Sequence, residues 1–272
     1  METTNRSKKL ALCYLYLVPP VVAAIGFGIR PVSCTVYLPL WLLNSGLMLR
    51  AAFLLVRRRP NGYIASALLL LVPWLLFAIF AGMGPPPVNI AGWLTTAATQ
   101  QTRYTILIVG GICAYLGFGL LKEKFENPGE RMYAVLGFAL LTIALPLFLL
   151  NMAFWGYYLP TTFKGFRLSP TEPRPGWYVA FKELFYIIAV TEVALIYLAT
   201  SFFAVAMKKA KLLSSVSCNW YRGFGIAGII LTIIPPSWPE PLSMAGYLAT
   251  IPAIPFTMPY LLGVRLLKGY HN

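Results

Sequence analysis

The 272-residue sequence contains no aspartate, and its single histidine, His271, is the penultimate residue. Those absences exclude Ser-His-Asp triads, HExxH zinc sites and Asp-rich carboxylate clusters. The four cysteines, Cys13, Cys34, Cys113 and Cys218, are scattered without CxxC spacing, so neither a metal cage nor a disulfide framework is expected. No GxxxxGK phosphate loop and no GxSxG elbow occurs. No cofactor, no metal and no catalytic residue is therefore expected. Charge is scarce too, at 11% of residues, against about a quarter in soluble domains.

Apolar residues make up 58% of the chain, with a mean hydropathy of +0.71. Eight apolar runs stand out, at about 9–29, 35–56, 62–82, 104–121, 132–154, 177–206, 220–236 and 243–264. A bilayer core of roughly 30 Å needs about 20 apolar residues per helix. The expected fold is an all-α integral membrane protein, a bundle of eight transmembrane helices forming one polytopic domain over 1–272.

Lys and Arg cluster in every second gap between the runs. The clusters are Arg6, Lys8 and Lys9; Arg57, Arg58 and Arg59; Lys122, Lys124 and Arg131; Lys208, Lys209, Lys211 and Arg222; and Arg265 and Lys268. They hold 15 of the 22 basic residues, whereas the alternate gaps hold Arg30, Arg103, Lys164, Arg167 and Arg174. Basic loops stay on the cytoplasmic side, so both termini are expected there. The net charge of +14 then reads as topology and as attraction to anionic lipid headgroups; nucleic acid is not an expected partner. A multi-pass location in a cell membrane, by default the bacterial inner membrane, follows.

Prolines and aromatics refine the outline. The first run, with Pro19-Pro20 inside it, reads as a retained, kinked helix and not as a cleaved signal. Arg57-Arg58-Arg59-Pro60-Asn61-Gly62 reads as a tight hairpin joint. Between Gly82 and Tyr104, the stretch Val88–Ala98 is too short to span and is expected at the interface or as a re-entrant segment. A second outer loop is expected over about 155–175, bounded by Trp155, Tyr157, Tyr158, Trp177 and Tyr178. Pro252, Pro255 and Pro259 should bend the last helix and leave it packed inside the bundle. No internal repeat is detected. Gly223-Phe224-Gly225-Ile226-Ala227-Gly228 fits GxGxxG, but no strand precedes it, so its glycines are read as helix-packing positions.

Glu192, in the apolar stretch FYIIAVTEVALIYLAT, is the most conspicuous polar residue. A carboxylate inside hydrocarbon must be protonated, paired or wetted. It is therefore a candidate proton or cation site, with a structural interhelical hydrogen bond as the plain alternative. Arg50 is its candidate partner across helices two and six, unless it snorkels to the headgroups. Asn44 and Thr191 could extend that polar network, and Lys182 with Glu183 could line an outer vestibule. Asn151 and Glu240 are read as ordinary wet interfacial residues.

Three readings follow. The first is a small transporter or ion-coupled carrier using Glu192, with bent helices one and eight shifting around it. The second is a non-catalytic membrane subunit, sensor or assembly factor that binds a partner protein or oligomerises. The third, an intramembrane enzyme acting on a lipid with Glu192, Glu183, Lys182 and Arg50, is the weakest because Asp is absent and the single His is the penultimate residue, which leaves few general bases. Water access to Glu192 separates the first reading from the others.

Overall fold

The computed structural model describes residues 2–28, 32–56, 62–87, 89–165, 176–235 and 237–268. Arg30, the Arg57–Asn61 part of the expected hairpin joint, Arg167, Arg174 and His271 lie outside the described residues. The chain is 85% helix, with no strand among the described residues. In order, the helices are α1 (Glu2–Gly28), α2 (Cys34–Val56), α3 (Ile64–Phe77), α4 (Phe80–Met83), α5 (Ile90–Thr95), α6 (Ala97–Lys122), α7 (Pro128–Ala153), α8 (Leu159–Gly165), α9 (Gly176–Lys209), α10 (Ser215–Ile233), α11 (Leu242–Thr250) and α12 (Thr257–Lys268).

Among the described residues, six stretches are long and apolar enough to cross a membrane. They are Arg6–Gly26, Cys34–Val56, Ile64–Met83, Ala97–Lys122, Pro128–Lys164 and Trp177–Lys209. These overlap the first six expected runs. The last two runs take a different form. Helix α10 carries Asn219 and Arg222 in its first half and is not among the six. The expected helix 243–264 is divided, because the backbone leaves the helix over Ile251–Phe256, where Pro252 and Pro255 remove two N–H donors. Only its second half packs inside: α12 buries Tyr260, Leu262, Val264 and Leu266, while α11 buries only Gly246 and Ala249.

The fifth run is longer than expected. After α7 the chain makes one π-helical turn, Phe154–Tyr158, and continues into α8. Pro160 lacks an N–H, and its ring would clash with the Gly156 carbonyl four residues back in a regular α-helix. The widened turn relieves that clash. Much of the expected outer loop is thus helix, and the apolar rod runs for 37 residues from Pro128 to Lys164.

Helices α7 and α9 make the most extensive contact in the bundle. Its core holds Phe203, packed on Phe118 of α6 with ring centroids 4.4 Å apart, and Ala199 and Ala204, both wholly buried. At one end Phe154 stacks on Phe185 at 3.8 Å. Helix α12 sits against α3 and is tied to α1 by the Tyr260 hydroxyl, which donates to the Leu15 carbonyl at 2.8 Å. Helix α10 lies on α9, where Gly225 and Gly228 face Ser201 and Tyr197 so closely that a Cβ at either position would collide. Those two glycines serve close packing. Gly223 has nothing near it.

The loop ends segregate by chemistry. At one end Gly62 meets Lys124, Gly129 meets Lys209, and Arg265 Nε donates to Leu212 at 3.3 Å, so these three basic residues gather there. At the other end Tyr157 bonds Thr105, and the backbone N–H of Val32 donates to Gly82.

Candidate functional site

Glu192 lies near the middle of α9, about 25 Å from either end at 1.5 Å per residue. It is only 1% exposed. Its neighbour across the α7–α9 contact is Asn151, also buried, whose Nδ2 donates to Glu192 Oε1 at 3.0 Å. The remaining polar atom of each group, the carboxyl Oε2 of Glu192 and the amide Oδ1 of Asn151, is buried without a hydrogen-bond partner.

Two acceptor oxygens on adjacent side chains, both lacking a donor, are a costly arrangement in an apolar interior. One proton on Oε2 changes the chemistry of the pair. The group then offers an O–H to the amide oxygen while Oε1 keeps accepting from the amide N–H. A carboxylic acid and a primary amide complement one another in this way, each giving one donor and one acceptor.

Asn151 is not the wet interfacial residue its sequence position implied. The helix carrying it does not stop at Trp155 but passes through the π-helical turn, which places Asn151 well inside the long rod. Arg50 is not the partner of Glu192. It is exposed on α2, and the carboxyl's bond goes to Asn151. Asn44 joins a different pair of helices: its Oδ1 accepts from the Tyr14 hydroxyl of α1 at 2.7 Å, and its Nδ2 reaches Met48 Sδ at 3.4 Å.

Thr191 is exposed and turned back on its own helix, donating to the Ile187 carbonyl at 2.8 Å. Thr200 and Ser201 do the same towards Ile196 and Tyr197. Such back-bonding satisfies a hydroxyl without linking helices. Lys182 and Glu183 pair loosely at 4.0 Å with both side chains more than half exposed, so they are a surface pair of small energetic worth. Among the expected site residues, then, only Glu192 sits in a buried polar cluster, and its partner there is Asn151.

A second buried polar group also escaped the sequence. Arg103, counted there as a loop cation, is 5% exposed in the second turn of α6. Its Nη2 donates to the Met83 and Gly84 carbonyls at 3.3 and 2.5 Å. Among the described residues, no group of three or more His, Cys, Asp or Glu side chains is placed to hold a metal ion.

Compared with protein-family models, curated proteins and solved structures, the chain matches none of them.

Proposed function

We propose that this chain is an eight-span protein of a cell membrane, by default a bacterial inner membrane, with both termini cytoplasmic and its basic loop end against anionic lipid headgroups. We propose further that it is a small ion-coupled carrier whose coupling centre is the Glu192–Asn151 pair. The observation carrying this reading is the pair of donor-less oxygens, Glu192 Oε2 and Asn151 Oδ1, on two buried side chains already joined by one hydrogen bond. A proton supplies what both lack, and its loss leaves a bare carboxylate in an apolar surround. Binding and release of that proton therefore change how well α7 and α9 fit, and this gives a conformational step something to couple to.

The burial of Glu192 also sets a requirement. At 1% exposure the carboxyl has no route to water, so exchange requires α7 and α9 to part beside it. The same closure favours the second reading, a non-catalytic membrane subunit or sensor in which the pair is a fixed interhelical bond.

One experiment separates the two. The protein is reconstituted in vesicles holding a pH-sensitive dye, and proton flux is driven by a potassium diffusion potential. The carrier reading expects proton movement in wild type and none in Glu192→Gln, with membrane insertion and stability intact. Equal flux in both, or no flux in either, rejects the carrier and leaves the subunit reading.

A further inference from the structure

We infer that Arg103 and Gln100 form a binding site for a small oxyanion that also carries an N–H or O–H donor. Two buried groups with opposite unmet needs carry the inference. Arg103 spends only Nη2 on the protein; Nε and Nη1, which hold three of the five guanidinium N–H donors, are buried without an acceptor. One turn earlier on α6, Gln100 is 2% exposed and its Oε1 is buried without a donor. Residues three apart on a helix share a face, so a surplus of donors and an unpaired acceptor stand side by side.

The orientation of the Gln100 amide follows from its neighbours. The Thr96 hydroxyl gives its hydrogen to the Gly92 carbonyl at 2.6 Å, so its oxygen can only accept from Gln100. Gln100 must then turn Nε2 towards Thr96, at 3.2 Å, which leaves Oε1 facing away.

Nor, among the described residues, does a carboxylate neutralise the guanidinium from within. The described ion pairs are Lys122–Glu123 and Lys182–Glu183, and the Glu192 carboxyl is committed to Asn151. A buried cation without a counter-charge is costly, and an anionic ligand removes that cost. Arg103 is tied to Gly84, the residue before the exposed Pro85 and Pro86, so the site lies one layer below the surface at the end of the bundle opposite the basic loops. The matching ligand offers a phosphate or carboxylate to Arg103 and an ammonium or hydroxyl to Gln100. A free zwitterion and an ethanolamine lipid headgroup both have that chemistry.

The test compares ligands that differ only in the donor. Thermal unfolding of the full chain in detergent is followed with O-phosphoethanolamine and with phosphocholine, which has no N–H. In parallel, nanodiscs of phosphatidylethanolamine are compared with nanodiscs of phosphatidylcholine. Stabilisation by the donor-bearing member in detergent assigns a soluble ligand; stabilisation only in nanodiscs assigns the lipid. Gln100→Leu leaves the ties to Met83 and Gly84 in place. It should cut the preference about tenfold, the worth of one good hydrogen bond. Arg103→Gln should abolish stabilisation by every anion. Should that variant fail to fold, Gln100→Leu alone decides. No difference within either ligand pair, or a preference unchanged in Gln100→Leu, overturns the inference.

Discussion

Replacing Asn151 with leucine removes the one hydrogen bond that the Glu192 carboxyl makes among the described residues, the 3.0 Å contact from Asn151 Nδ2 to Oε1. Both carboxyl oxygens are then buried with nothing to bond, because Oε2 already lacks a partner in the protein. An orphaned buried polar group costs about 1–3 kcal/mol. The same bond inside a membrane bundle is worth about 0.6 kcal/mol on average, with measured values to about 1.7. The expected loss for Asn151→Leu is accordingly on the order of 1–2 kcal/mol.

Glu192→Gln should cost little, within about 0.5 kcal/mol, because the new amide accepts from Asn151 Nδ2 and donates to Oδ1 as the protonated acid does. The double variant Asn151→Leu with Glu192→Leu removes both polar partners together. It should be more stable than Asn151→Leu alone, since no orphan remains. The assay is reversible unfolding in mixed micelles, read as a double-mutant cycle. If the double variant loses the plain sum of the two single losses, the side chains are not coupled and the argument for a shared proton fails.

Two further outcomes follow from the packing. In Gly156→Ala the added methyl would stand 2.5 Å from Tyr104 Cβ, inside the π-helical turn, so overpacking should cost about 1–3 kcal/mol by the same unfolding assay. Arg50→Leu, on an exposed face and without a bond to Glu192, should change stability by less than about 0.5 kcal/mol; a larger loss would reinstate Arg50 as a member of the buried network.

The first six apolar runs were legible because hydrocarbon thickness sets a length that composition can be scanned for. Where the outline failed, the cause was backbone geometry that hydropathy does not encode. Trp155, Tyr157 and Tyr158 look like the edge of a membrane, yet the helix passes through them, because a one-residue widening accommodates Pro160 without ending the rod. Asn151 was misplaced for that reason alone, and Pro160, five residues after the Phe154-Trp155 pair, was the available clue. Arg103 was hidden differently. Its burial comes from the end of α4 folding over α6, a long-range contact with no local signature. Glu192 was legible because a lone carboxyl among apolar residues must be compensated wherever the helix packs, but the identity of its partner depends on which helix faces it.

Infrared difference spectroscopy of the reconstituted protein at neutral pH tests the central claim most directly, comparing wild type with Glu192→Gln. If Glu192 carries a proton opposite Asn151, wild type shows a carboxylic-acid C=O band that Glu192→Gln lacks and that shifts in Asn151→Leu. If the only signal lost on substitution is that of an ionised carboxylate, Glu192 holds no proton there and the account is wrong.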